Sequence, residues 1–166
     1  MTPDLVVDKL IDIVSKNGNM LLNIPIKADG TLDAEATTLL QDVGKWFAVN
    51  GEAIYGTRPW YMYGEGRNEI GHHDLESEMT AKDFRYTTKG DVLYAFVLDW
   101  PTFHRNPVVF PNIVKMNTRI SEVASVQLLG YDGELKWENH GDGLHVTFPK
   151  EKPCDYAYAL KISFKK

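Results

Sequence analysis

The stretch "AKDFRYTTKGDVLYAFVLDWP", residues 81–101, has the pattern of two strands joined by a tight turn. Aromatic and β-branched residues are frequent in Asp83–Thr88, and apolar side chains recur at every second position in Val92–Leu98. Lys89, Gly90 and Asp91 separate the two runs and are typical of a hairpin turn. We therefore predict an antiparallel hairpin at the start of an all-β region.

Five further short runs follow this hairpin and continue the all-β pattern. Turn residues, such as Asp132-Gly133, separate the later runs. Short strands at this spacing predict an antiparallel β-sandwich over residues 80–166. The further strands that we predict are Val108–Pro111, Ala124–Leu129, Leu135–Glu138, Leu144–Phe148 and Ala157–Phe164.

The first part of the sequence predicts two helices. Thr2 is a suitable N-cap for the first helix, which should end at Asn17-Gly18. Asp33 is a suitable cap for the second helix, which should end at Asn50-Gly51. Both segments repeat apolar residues at the spacing of one helical face, so each should pack on a core.

Between these helices lies an apolar run that predicts a strand, Asn19–Ile24. Met20, Leu21 and Leu22 follow one another without polar alternation, which indicates burial on both faces, as in a parallel sheet covered by helices. Too few residues precede the run in this sequence to supply a parallel neighbour. We place this helix-strand-helix unit at residues 1–58 and a linker, rich in glycine and charge, at residues 59–79.

Composition excludes some classes of partner. The sequence has 166 residues and a formal net charge of −5, which argues against binding to nucleic acid. Its apolar runs are too short for a membrane span, and its start lacks the pattern of a signal peptide. The single cysteine, Cys154, excludes an internal disulfide, and we expect it to be a buried, inert thiol.

Three long motifs, in order along the chain, resemble the C-terminal region of the family 29 α-L-fucosidases. They are "LIDIVSKNGNMLLNIPIKADGTLD" (residues 10–33), "GKWFAVNGEAIYGTRPW" (residues 44–60) and the opening hairpin. The closing segment, residues 123–162, also has the family's pattern of Leu-Gly, Trp, Gly-Leu-x-Val and Ala-Tyr-x-Leu-Lys-Ile. The resemblance covers essentially the whole sequence.

The resemblance implies a fold and an activity. Enzymes of the family join a (β/α) barrel to a C-terminal β-sandwich, so Asn19–Ile24 would be the last barrel strand and residues 1–58 a remnant of the barrel. Family members are retaining glycoside hydrolases that release terminal α-L-fucose from glycans and use two carboxyl groups. The resemblance places both carboxyl groups upstream of this sequence. We therefore expect no catalytic residue, no cofactor and no activity from this chain alone.

The resemblance leaves the compartment open. Full-length relatives are often secreted or periplasmic, whereas this sequence shows no signal-peptide pattern. It also leaves Asn23 as the one candidate substrate-binding residue, at the end of the predicted barrel strand. An amide there could order a neighbouring site residue at the barrel mouth, or it could bind a loop backbone. Asp29, in "ADGT", is more typical of a turn than of a catalytic acid.

Other polar and aromatic residues have both a functional and a structural interpretation. His72, His73 and Asp74 are adjacent on a predicted loop and lack a distant third ligand, so we predict no metal site. Trp60, Tyr61 and Tyr63 could stack on sugars, but we favour a packing role between the barrel remnant and the sandwich. We expect Trp100 and Trp137 to be core residues, and His104, His140 and His145 to be solvated.

Two alternatives to an enzyme fragment remain open at this point. The sandwich could be a non-catalytic carbohydrate-binding module, in which case aromatic side chains should be exposed on one face. It could also be a purely structural domain, in which case they should be buried. The exposed barrel remnant could collapse onto the sandwich, pair with a second chain or dock in a larger assembly. We favour a homodimer, because a strand edge is paired most directly by another strand.

Overall fold

A computed structural model describes residues 1–66, 79–101, 108–110, 123–140 and 143–165. The described residues form two α-helices, α1 (Pro3–Ser15) and α2 (Ala34–Asn50), and a short 3₁₀ turn, Gly51–Ala53. They also form the strands β1 (Arg58–Glu65), β2 (Phe84–Lys89), β3 (Val92–Val97), β4 (Val108–Phe110), β5 (Val123–Leu128), β6 (Lys136–His140), β7 (Gly143–Thr147) and β8 (Tyr158–Phe164).

The helix limits agree with the predictions because the capping residues form the expected bonds. The Thr2 hydroxyl accepts a hydrogen bond from the Leu5 amide at 3.3 Å, and the Asp33 carboxylate accepts one from the Ala36 amide at 2.7 Å. Asn17 has a positive φ of 66°, which turns the chain away after α1.

The strands build two antiparallel sheets, and the predicted β-sandwich is confirmed. One sheet has the order β1-β2-β3-β8-β5, and the other has the order β4-β7-β6. Each of the seven strands predicted for the sandwich is present, and no end differs from the prediction by more than two residues. The hairpin pairs Phe84 with Val97 and Lys89 with Val92, so the turn is Gly90-Asp91, and Lys89, predicted as a turn residue, ends β2.

Both faces of β3 are buried, although its alternating pattern alone predicts only one buried face. Leu93, Ala95 and Val97 belong to the core between the two sheets. Tyr94 and Phe96 belong to a second core, which α1 and α2 form on the opposite face of the large sheet. The helices therefore cover the sandwich as an extra layer.

Two local predictions are wrong. Asn19–Ile24 forms no strand, and Leu21 is 95% exposed. A strand needs a neighbour for its backbone groups, and no strand of the described residues pairs with this segment. In addition, Arg58–Glu65 forms β1 where we predicted the linker to begin, because Trp60 and Met62 pack against the sandwich core. The rest of the predicted linker, residues 67–78, lies outside the described residues.

Helix α2 is attached to β8 by buried hydrogen bonds. Trp46 is 1% exposed and donates from its indole Nε1 to the Ala157 carbonyl at 2.7 Å. The Asn50 side chain accepts from the Ala159 amide at 3.2 Å and donates to Cys154 Sγ at 3.3 Å. Because these groups are buried, each bond also satisfies a polar atom that would destabilise the fold if it were buried without a partner.

Candidate functional site

The segment between α1 and α2 presents the surface where the resemblance implies a barrel mouth. Asn23 is exposed and lines a shallow cleft of about 210 Å³ together with Leu22, Ile24 and the first turn of α2. Asp33 and Glu35 supply the acidic groups of this cleft. The cleft is smaller than most ligand pockets, so by itself it does not indicate a complete binding site.

Large apolar side chains lie exposed on and beside this segment. Leu21 is 95% exposed, Ile26 67% and Met1 66%. Isolated apolar residues on a surface need no explanation, but Leu21 and Ile26 are exposed on the segment itself, and Met1 lines the same cleft as Leu22 and Ile24. We call Met1, Leu21 and Ile26 the apolar patch.

Asp29 forms a turn, as predicted. Its Oδ1 accepts hydrogen bonds from the Thr31 amide at 3.0 Å and from the Thr31 hydroxyl at 2.7 Å. These bonds, the backbone one foremost, lower the pKa of the Asp29 carboxyl. A general acid needs the opposite shift of its pKa, so Asp29 is unsuited to that role.

A buried charge pair joins α1 to the sandwich. Arg85 on β2 donates from Nε to Asp12 Oδ1 at 2.6 Å, and both side chains are nearly inaccessible to water. Lys16 donates to the other oxygen of Asp12 at 2.9 Å, and the Arg85 Nη1 donates to the Phe84 carbonyl at 2.9 Å. The pair therefore fixes the helix on the sheet.

Asp8 is the most perturbed acid among the described residues whose pKa shift has a resolved value. Burial, and secondly the neighbouring Asp4 carboxylate, raise the pKa of Asp8 to about 8, while Arg85 acts in the opposite direction. Its Oδ1 is buried without a hydrogen-bond partner. A raised pKa is typical of a general acid. However, Asp8 is only 5% exposed between α1 and the sheet, so no substrate can reach it.

Another buried acid lies on β1. Glu65 accepts a hydrogen bond from the Tyr86 hydroxyl at 3.1 Å, and both residues are buried. Burial, followed by the charge of Glu65, raises the pKa of Tyr86 well above its usual value, so this phenol stays protonated. The pair supports the packing of β1 on β2 and presents no reactive group to solvent.

The predicted aromatic group at the start of β1 is divided between the two faces of the strand. Trp60 packs edge-on against Tyr86 at 5.2 Å between ring centres, which agrees with a packing role. Tyr63 lies under Lys16, 4.7 Å from its ammonium, and thereby contacts the end of α1. Tyr61 is 54% exposed, so of the three rings it is the one most open to solvent.

The remaining candidates have the following positions. Trp100 is buried against Phe148 and Tyr158, as predicted, whereas Trp137 is only half-buried. Cys154 is also half-buried, and burial raises the pKa of its thiol. His145 is half-buried on β7 and has an interaction partner, so its imidazole is only partly open to solvent. His72, His73, Asp74, His104 and the His140 side chain lie outside what the structure describes.

Within the described ranges, no three His, Cys, Asp or Glu side chains form a group suited to a metal ion. Among the same residues, no helix is long and apolar enough to cross a membrane.

Two family models match successive parts of the chain. The model described as "Alpha-L-fucosidase" matches residues 1–52. The model described as "Alpha-L-fucosidase C-terminal domain" matches residues 76–163. The chain belongs to the α-L-fucosidase family. The first match covers both helices and the segment between them, and the second covers the described strands β2 to β8 except the last residue of β8.

Relatives with this name match almost the whole chain. An "Alpha-L-fucosidase" of Branchiostoma floridae is 34% identical over 96% of the chain, and the human "Tissue alpha-L-fucosidase" is 29% identical over 95%. The chain spans about a third of these relatives' own length, 32% and 31% respectively.

Solved structures of the same name share the fold. "Alpha-L-fucosidase isoenzyme 1" of Paenibacillus thiaminolyticus is 28% identical with a TM-score of 0.73, and the match covers 100% of this chain and 35% of the other. The α-fucosidase of Thermotoga maritima is 26% identical with a TM-score of 0.74, over 98% of this chain and 34% of its own. The recognition made from motifs is therefore confirmed.

Sequence reasoning missed the buried charges of α1. Asp4, Asp8 and Asp12 recur at intervals of four residues, which places them on one helical face. That face also carries Ser15, which is fully buried. An acidic stripe that shares a face with buried residues was the available signal for a polar helix–sheet contact.

Proposed function

We propose that this chain is the C-terminal part of an α-L-fucosidase, a retaining glycoside hydrolase that releases terminal α-L-fucose from glycans. The observation that carries the proposal is the match of two consecutive family models, one for the enzyme and one for its C-terminal domain, to residues 1–52 and 76–163. The names of the relatives agree with it. Fucosylated glycans would be the substrate of the complete enzyme.

In this proposal the described residues brace the barrel and supply no catalytic carboxylate. Asp29 has a lowered pKa and Asp8 is inaccessible, which leaves neither suited to the acid/base role. Asn23 would lie at the barrel mouth, where its exposed amide can order a neighbouring site residue. Residues 1–58 would belong to the barrel and 80–166 would form the C-terminal domain, to whose large sheet β1 adds a strand.

An activity assay tests the proposal. The 166-residue chain should release no nitrophenol from an aryl α-L-fucoside. A longer protein, extended upstream along the reading frame of the gene, should hydrolyse it. Turnover that titrates with the 166-residue chain would contradict the assignment of both carboxyl groups to an upstream barrel. A reading frame that encodes no barrel upstream would contradict the proposal that this chain is part of a longer enzyme.

We further propose that the apolar patch packs against the rest of the barrel in the enzyme, and against a second copy when the chain is alone. Burial of one large apolar side chain is worth roughly 1.5–3 kcal/mol, which favours association over exposure. Sedimentation velocity should therefore show a dimer that Leu21→Asp dissociates. Tyr55→Ser, which changes an exposed aromatic outside the patch, is the matched control and should leave the dimer intact. A wild-type monomer at all concentrations would contradict the dimer.

A further inference from the structure

A second cleft lies at the edge of the sandwich, between β5 and β6. Its walls are β5, the connecting loop of residues 129–135, and Trp137 on β6, and we call it the β5–β6 cleft. Its volume of about 600 Å³ lies within the range of ligand-binding pockets, roughly 300–1,000 Å³. Residues 124–135 and Trp137 all lie within the second family match.

The 129–135 loop, which forms one wall of this cleft, is held in place on both sides. The Leu129 amide donates to the Ala159 carbonyl at 3.0 Å, and the Tyr131 amide donates to the Leu128 carbonyl at 3.1 Å. Gly130 has a φ of 78°, and a Cβ on it would come within 2.6 Å of Val49 on α2. The loop is thus closely packed and preorganised before any ligand arrives.

Two aromatic residues line the β5–β6 cleft. Trp137 and Tyr131 both pack against the sandwich core, yet each remains half-buried and open to the cleft. The Tyr131 ring lies directly over Gly133, where an added Cβ would be 2.4 Å from its hydroxyl oxygen. Flat aromatic faces in fixed positions suit the apolar face of a pyranose ring.

The polar side chains of the cleft suit a ligand with many hydroxyl groups. Gln127, Asp132 and Glu134 are exposed in its lining and offer amide and carboxylate groups that bind hydroxyls. Among the described residues, the lining contains no lysine, arginine or histidine, which disfavours a phosphate or another anion. An extended peptide could instead pair with the edge of β5. However, the register shift between Val123 and Ser125 interrupts this edge, which argues against a continuous added strand.

We propose that the β5–β6 cleft binds an oligosaccharide, with Trp137 and Tyr131 stacking on sugar rings and Gln127, Asp132 and Glu134 bonding hydroxyl groups. The site would hold a glycan without performing chemistry on it. The proposal is independent of the fucosidase assignment, because binding to the 166-residue chain requires no barrel.

The test uses the full 166-residue chain with two probes, 2′-fucosyllactose and lactose. Saturation-transfer NMR and calorimetry should detect saturable binding of at least one probe. Trp137→Ala should weaken this binding about tenfold, which corresponds to about 1.4 kcal/mol. Binding of both probes alike and binding of the fucosylated probe alone each support the proposal, and the comparison decides whether the cleft distinguishes fucose.

Two further variants keep the test decisive if Trp137→Ala disturbs folding. Gly133→Ala should displace the Tyr131 ring and weaken binding several-fold, whereas Gly44→Ala is the matched control, because a Cβ there meets nothing within 4 Å. Gln127→Ala removes an exposed amide and should weaken binding without affecting the fold.

Three results would overturn the proposal. The first is a folded chain that binds neither sugar. The second is binding that Trp137→Ala, Gly133→Ala and Gln127→Ala leave unchanged. The third is binding of an extended Val-Thr-Val-Thr peptide without binding of either sugar, which would assign the cleft to strand pairing.

Discussion

Arg85 and Asp12 are 73 residues apart in sequence, yet their side chains form a 2.6 Å ion pair. Arg85 is 1% exposed and Asp12 is 4% exposed, so water barely screens the pair. Asp12 lies in the part that matches the fucosidase model, and Arg85 lies in the part that matches its C-terminal domain. The pair therefore connects the two parts at their shared interface.

Replacement of Arg85 by methionine should strongly destabilise the fold. The change leaves a buried carboxylate with only Lys16 as its charged partner, and loss of one member of a buried pair costs about 3–5 kcal/mol. Urea denaturation followed by tryptophan fluorescence measures the free energy of unfolding. Lys45→Ala, which breaks the exposed pair with Asp42, is the control and should have no measurable effect. Equal stabilities of the two variants would contradict a structural role for the Arg85–Asp12 pair.

The buried carboxyl of Asp8 should make stability depend on pH. Because the folded state raises its pKa from 3.8 to about 8, the unfolded state releases this proton first as the pH rises. Stability from this group is fully present below roughly pH 4 and declines by up to about 5 kcal/mol towards pH 8. The charged groups that face Asp8 are Asp4 on the same helix and Asp83, Arg85 and Asp99 on the sheet side.

Asp8→Asn should remove this dependence, since an amide stays neutral at every pH. The free energies of unfolding of the variant and the wild type, measured between pH 5 and pH 8, should diverge as the pH rises, with the variant the more stable. Asp29→Asn is the control without pH dependence: the folded state lowers the pKa of Asp29, so this carboxyl is ionised in both states above about pH 4, and the difference from the wild type should stay constant between pH 5 and pH 8. A constant difference between Asp8→Asn and the wild type would show that Asp8 ionises normally in the fold.

Gly64→Ala should destabilise the attachment of β1. A Cβ at this position would lie 2.2 Å from the Phe84 carbonyl oxygen and 2.7 Å from Arg85 Cδ. The backbone must therefore shift beside the Arg85–Asp12 pair, at a cost of about 1–3 kcal/mol. Gly44→Ala, in the open face of α2, should instead stabilise the chain by up to about 1 kcal/mol. Thermal melts of the two variants should move in opposite directions.

Cys154 should react slowly with thiol reagents in the folded chain. Burial raises the pKa of its thiol, with a smaller opposing effect from the Asn50 amide, so the reactive thiolate is scarce at neutral pH. A colorimetric disulfide reagent should modify it much faster in urea than in buffer. Asn50→Ala removes the amide that opposes this pKa shift, but it also opens the packing around the sulfur. The variant should therefore react no more slowly than the wild type. Equal rates in urea and in buffer would contradict the protected thiol.

The sequence by itself determined the local elements of this protein. Thr2 and Asp33 cap their helices through their own side chains, and the Gly90-Asp91 turn fixes the register of β2 and β3. These features depend on residues a few positions apart, so their physics is present in any short stretch. The motifs around residues 10–33 and 44–60 also sufficed to recognise the family.

Only the tertiary structure decided which faces meet. Helices α1 and α2 bury the second face of β3, and their packing also determines the burial of Asp8. The packing of the 129–135 loop determines the half-exposed position of Trp137. For the run Asn19–Ile24, the sequence predicts a strand that the tertiary structure does not form. Its composition favours a buried strand, but a strand forms only where another strand accepts its hydrogen bonds, and the described residues place none beside it. Burial and strand pairing are properties of partners, and a sequence pattern describes only one side of each contact.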